Sequence, residues 1–124
     1  MPIKKLQQYL DLVLSLRLER HTNPKARGCA TYYFGHQYSR SATGMRLAEL
    51  IQEEVPWHTT LPDCRTHAKT WDLLRMTRMP AVRIEMGYAT NDLDAQLLTD
   101  PTARDGIAAG LYSAVSRLFA PMIG

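Results

Sequence analysis

One acidic side chain stands in the apolar run Pro80-Ala81-Val82-Arg83-Ile84-Glu85-Met86-Gly87, and Glu85 is therefore the first candidate for acid/base chemistry. Strand alternation puts Ala81, Arg83 and Glu85 on one face and Val82, Ile84 and Met86 on the other. A carboxylate at the C-terminal end of an interior strand lies where open α/β sheets place their ligand sites. Partial burial there raises its pKa toward a useful range. The competing role is a salt bridge to Arg83 or another cation. Cys64-Arg65-Thr66-His67 has half of a zinc-like spacing and no second half, so it is expected to be structural. His36 and His58 carry no signal. Tyr32, Tyr33 and Phe34 lie beside basic residues, but no nucleic-acid reading motif surrounds them, so core packing is expected and no nucleic-acid partner.

The elements that must position these groups follow from periodicity. Residues 12–18, Leu-Val-Leu-Ser-Leu-Arg-Leu, are apolar at nearly every position, which suits a central parallel strand covered on both faces. A loop from Glu19 to Gly28 follows, broken at Asn23-Pro24, and Cys29 to Phe34 reads as a second strand. Between Ser41 and Val55 the apolar residues Met45, Leu47, Ala48, Leu50, Ile51 and Val55 recur at helical spacing, and Pro56 is expected to end the helix. A less regular stretch leads to a short apolar segment near Trp71 to Leu74. Pro80 then opens the strand that carries Glu85. Asn91-Asp92 starts a turn or short helix to Leu98, and a closing helix runs from about Pro101 through Ile107, Leu111, Val115 and Leu118. The order predicts an α/β fold with a mostly parallel sheet flanked by helices.

Length and composition set the outer bounds. A chain of 124 residues, 45% hydrophobic and 22% charged, fits one ordinary globular domain with a real core. The opening residues hold no apolar run long enough for a secretory signal, and no segment approaches a membrane span, so a cytoplasmic location is expected for the chain as written. Cys29 and Cys64 are too few for a disulfide framework and are expected to be reduced. The formal charge of +3 is uneven: residues 1–46 carry eight Lys/Arg against two Asp/Glu. That front is expected to be a solvated loop face rather than a binding patch.

The segment from Met79 through Glu85-Met86-Gly87-Tyr88-Ala89-Thr90-Asn91, with Asp94 and Leu97-Leu98 beyond it, resembles the signature of the zinc-dependent N-acetylmuramoyl-L-alanine amidases. That signature is a proline, an apolar strand, a catalytic glutamate, Gly-aromatic and Thr-Asn. Ala26-Arg27-Gly28 before Tyr32-Tyr33-Phe34-Gly35 is similar to the strand after a zinc histidine. Ser41 to Ile51 resembles the surface helix, Leu73-Leu74-Arg75 a short strand, and Ile107 to Leu118 the terminal helix. Thr66 to Arg75 looks closest to the CwlM-type members, amidase-like proteins linked to cytosolic regulation of peptidoglycan synthesis. The resemblance implies zinc held by two histidines and a glutamate, a metal-bound water that attacks the amide between the lactyl group and L-alanine, and Glu85 as proton shuttle.

The departures decide what the resemblance is worth here. Relative to the family, residues 1–124 are expected to form a single partial domain lacking the N-terminal βα portion, which carries two of the ligands. The remaining ligand histidine ends a Ser-apolar-His-apolar strand in the family, and Ser15-Leu16-Arg17-Leu18 puts Arg17 at its place. A guanidinium keeps its proton and offers only donors, so it cannot bind zinc. No cofactor is therefore expected in this chain, and Arg17 is expected to pair with Glu85, lowering its pKa. His21, four residues beyond Arg17, could reach the site as a substitute ligand, but a lone loop histidine is expected to be solvated. The expected function is that of a catalytically degenerate amidase domain, or a binding and regulatory domain in cytosolic control of peptidoglycan synthesis. Its partners would be a peptidoglycan fragment or precursor, or a cell-wall synthesis protein. Active relatives are typically exported or wall-associated. Loss of one sheet edge implies a homo-oligomer or a partner-stabilised chain.

Overall fold

The computed structural model describes residues 12–76 and 79–123, and the opening residues 1–11, where an export signal was sought, lie outside them. Among the described residues, five strands and four helices follow one another: β1 (Val13–Glu19), β2 (Cys29–His36), β3 (Ser39–Arg40), α1 (Ala42–His58), β4 (Asp63–Lys69), α2 (Asp72–Arg75), β5 (Ala81–Tyr88), α3 (Asp92–Thr99) and α4 (Pro101–Ile123). The sheet order is β1-β5-β2, with β4 and the short β3 both pairing with β2. The longer ladders, β1 with β5 and β2 with β4, are parallel, as expected. The sheet is not wholly parallel, because β2 runs antiparallel to β5 and to β3.

One face of the sheet is covered by α1 and α4. Leu47, Ala48, Leu50, Ile51 and Val55 of α1 meet Cys29, Val82 and Ile84 from the strands and Ile107 and Ala114 from α4. The helical spacing of those apolar positions is why α1 forms there, and Ser41 caps it, its hydroxyl accepting from the Gly44 N–H at 2.9 Å. Pro56 does not stop α1, which runs on to His58. The last turn is closed by side chains: Thr59 donates its hydroxyl to the Val55 carbonyl at 2.8 Å, and His58 Nδ1 lies 2.8 Å from the Glu54 carbonyl.

Two segments differ from expectation. Residues 63–69 form β4, although their polar sequence gives no strand signal, and Leu73-Leu74-Arg75 lies in a helical turn rather than a strand. β4 needs no apolar alternation because it is mostly exposed and, among the described residues, pairs only with β2. It is fixed instead by Gln52, a buried residue of α1 whose amide donates to the Cys29 carbonyl at 3.1 Å and to Asp63 Oδ1 at 2.7 Å, while its Oε1 accepts from Thr31. The register of β4 slips between its pairs with Cys29 and Thr31, and Arg65 there takes φ of 69°, a bulge in the left-handed region.

β1 also departs from the central strand expected. Among the described residues it pairs only with β5, leaving Leu16 44% and Leu18 48% exposed. These two side chains form one wall of an apolar groove completed by Met86, Leu98, Ile107 and Leu111. Among the described residues no helix is long and apolar enough to cross a membrane.

Candidate active site

The face of the sheet away from α1 and α4 carries the polar groups. Register places Ser15, Arg83, Tyr32 and His67 in one row across β1, β5, β2 and β4, and Arg17, Glu85 and Ala30 in the next. Glu85 is only 7% exposed. Its Oε2 accepts a hydrogen bond from the Tyr32 hydroxyl at 3.0 Å. The Tyr32 ring lies 4.8 Å from Trp71 and stacks at 5.3 Å on His67, so an aromatic shelf holds the hydroxyl toward the carboxylate.

Burial pushes the Glu85 carboxyl above its ordinary range; the Tyr32 hydrogen bond opposes this, Glu19 reinforces it, and Arg83 and Arg17 oppose it more weakly. The same burial, with the Glu85 charge beside it, raises the Tyr32 phenol, which therefore stays protonated and donates. The Arg17–Glu85 ion pair anticipated from sequence does not form. The two residues are register neighbours, but Arg17 is exposed, while the buried carboxylate accepts from Tyr32. Arg83 makes no ion pair with Glu85 either, its guanidinium lying 4.8 Å over the Trp71 ring.

A sign follows from the raised carboxyl. A carboxyl that binds its proton more tightly when folded favours folding below its unfolded pKa, and that contribution is lost as pH rises through the folded value. Glu85→Gln should therefore gain stability relative to wild type between the ordinary carboxylate range and neutrality, read by urea unfolding at several pH values. Tyr32→Phe should move the Glu85 titration further up. A stability gap between Glu85→Gln and wild type that is flat with pH would contradict both.

The strand end bearing Glu85 is held by Asp94, a wholly buried carboxylate on α3. Its Oδ2 accepts from the N–H groups of Gly28 at 2.8 Å and Tyr88 at 3.0 Å, and its Oδ1 from Arg27 Nε at 3.0 Å. Asn91 caps α3 by accepting from the Asp94 N–H and donates to the Pro24 carbonyl. Gly87, at φ 154°, lets the chain pass Asp94 and Leu98, each 3.2 Å from where a Cβ would stand. The residues after Glu85 in the signature thus tie the loop before β2 to the end of β5.

The remaining candidates lie elsewhere. His21 is exposed, with its Nδ1 accepting from the Asn23 N–H. Cys64 donates its thiol to the Arg27 carbonyl, and His67 Nε2 lies 2.8 Å from the Cys64 carbonyl. Cys29 and Cys64 are free thiols, and burial pushes the Cys29 thiol up to about 12. Tyr33 packs against the core, but Tyr32 does not, and its role was missed. Alternation along β2 was the available signal, since it puts Tyr32 opposite in face to Thr31 and Tyr33. The described residues do not fit a zinc centre: among them no three His, Cys, Asp or Glu side chains gather, and the β1 position beside Glu85 is a guanidinium.

Glu85 thus stands at the end of a middle strand in a sheet packed against helices. The sequence profile of the N-acetylmuramoyl-L-alanine amidases matches residues 4–117, and the chain belongs to that family. It is 48% identical over 110 residues to the N-acetylmuramoyl-L-alanine amidase CwlM of Mycobacterium tuberculosis, covering 88% of this chain and 27% of that protein. It is 28% identical to a germination-specific amidase of Bacillus subtilis, covering 88% of this chain and 45% of that protein. The chain thus spans less than half of these relatives. In fold it is similar to an N-acetylmuramoyl-L-alanine amidase from Clostridium difficile 630, with a TM-score of 0.80 at 22% identity, over 100% of this chain and 68% of that one. The CwlD amidase of Clostridioides difficile, solved in complex with the GerS lipoprotein, gives 0.79 at 24% identity, over 89% and 55%.

Proposed function

We propose that this domain binds muramoyl-peptide on the Glu85 face of its sheet without cleaving it, as a degenerate amidase domain serving a regulatory role in peptidoglycan synthesis. The observation that carries this is Arg17 beside Glu85 in the β1–β5 register, where hydrolysis by the family's chemistry needs an imidazole. Glu85 keeps a raised carboxyl and a hydrogen-bonding neighbour, so the face retains polar recognition groups. The exposed Leu16 and Leu18 of β1, which among the described residues pairs only with β5, support a domain that works attached to another protein surface or to a second copy.

A second reading, that hydrolysis survives in a longer protein or assembly, is favoured by the amidase names of relatives of which this chain covers 27% and 45%. Elemental analysis of the purified chain together with peptide release from muramoyl-peptide separates the two. Binding with less than about a tenth of a zinc per chain and no release is expected. Zinc near one per chain with turnover would overturn the proposal.

A further inference from the structure

β5 contains a second anomaly besides its glutamate. Arg83 interrupts the apolar sequence Ala81-Val82-Ile84 in a strand paired on both sides, where an unmatched guanidinium is costly to desolvate. Its head lies 4.8 Å over the Trp71 ring, and its Nε is buried with no hydrogen-bond partner. Lys69 Nζ stands 5.7 Å from the same ring. Two cations therefore converge on one indole, which is backed by Tyr32. Among the described residues neither cation has a salt bridge.

We propose that Arg83, Lys69 and Trp71 form an anion subsite beside Glu85 that takes a carboxylate of the bound wall peptide. This rests on the reading that the Glu85 face binds muramoyl-peptide. Arg83 and Glu85 sit two residues apart on one face, about 7 Å, roughly the reach of one amino-acid residue from the reactive amide of the family. An arginine fork suits a carboxylate because Nε–H and one Nη–H can bond its two oxygens in parallel. No hydrogen bond anchors Nε, so the guanidinium can turn on the indole face to present that edge. Trp71 supplies a flat apolar wall for the peptide's methylenes, and Lys69 adds a second, more mobile charge at the rim. The ligand is thus an acidic peptide whose residue after L-alanine carries a free carboxylate.

The test uses the full chain and two muramoyl-L-alanyl peptides, one ending in D-glutamate with its free carboxylate and one with that carboxylate amidated. Calorimetry is expected to show the acid bound about tenfold more tightly, the scale of a charge-assisted hydrogen bond. Arg83→Gln should abolish the difference while leaving the amide's affinity alone. Arg75→Gln, at an exposed arginine paired with Asp72, should preserve it. Equal binding of acid and amide by wild type, or a tenfold preference surviving in Arg83→Gln, would overturn the subsite. So would inorganic pyrophosphate displacing the acid peptide at lower concentration than glutarate does, which would mark a phosphate site. If neither peptide binds, the muramoyl-peptide reading fails on its own. The subsite is then judged by the Arg83 Nε–Hε resonance titrated with glutarate: a saturable shift sustains it and an unmoved signal overturns it.

Discussion

Asp94→Ala is expected to lower the stability of the domain by about 3–5 kcal/mol, the scale for removing one partner from a buried charged cluster. The alanine would leave the N–H groups of Gly28 and Tyr88 without their acceptor at a fully buried position. Arg27 loses its partner too, but its side chain is 24% exposed and can turn to solvent, so it contributes less to the loss. Asp94→Asn discriminates between these parts. Its carbonyl oxygen can still accept from both backbone donors while its amide faces Arg27, so it should cost less than half as much as alanine. Urea unfolding followed by tryptophan fluorescence measures both variants. Equal losses for Asn and Ala would show that the charge, not the two backbone hydrogen bonds, carries the effect. The Glu85 carboxyl resonance should also shift in Asp94→Ala, because the Tyr88 tether holds the end of its strand.

That network shows which parts of the site were legible in the sequence. Glu85 stood out because one acid among Ala, Val, Ile and Met violates the pattern of a buried strand, and its neighbours Gly87, Asn91 and Asp94 formed an ordered motif around it. β1, β2, β5 and the two long helices followed from apolar spacing, since Leu47 to Val55 and Ile107 to Leu118 fill one continuous core. β4 was not legible, because Asp63 to Lys69 is held by Gln52 and backbone pairing rather than by its own apolar side chains. Pairings across strands were equally hidden. Arg17 was placed beside Glu85 by strand logic, and the register agrees. Which side chain bonds the carboxylate depended on β2 running antiparallel beside β5 and bringing Tyr32 within 3.0 Å. A pattern within one strand cannot specify its neighbour's direction. The expected lowering of the Glu85 pKa failed for that reason, since burial and a neutral donor took the place of an ion pair.

Gly110→Ala sets two physical effects against each other. In an isolated helix, alanine is favoured over glycine by about 1 kcal/mol, so propensity alone predicts a gain in α4. Packing predicts the reverse. A Cβ at residue 110 would stand 2.9 Å from Val55 Cα and 3.0 Å from the Glu54 carbonyl, both backbone atoms of α1. One turn earlier, a Cβ at Gly106 would stand 2.3 Å from the His58 carbonyl oxygen. These two glycines lie on one face of α4 and set how closely α1 and α4 approach. Backbone cannot swing aside as a side chain can, so α1 and α4 would have to move apart, disturbing the packing of Leu50, Ile51 and Val55. Overpacking of this kind costs about 1–3 kcal/mol, which outweighs the propensity gain, and the double variant Gly106→Ala/Gly110→Ala should lose more than either single one. Ala109→Gly, at an exposed position of the same helix, isolates the propensity effect and should cost about 1 kcal/mol. If Gly110→Ala instead proves more stable than wild type in urea unfolding, the helices are not in close contact there, and the core would not hold the strand that carries Glu85 against α1 as described.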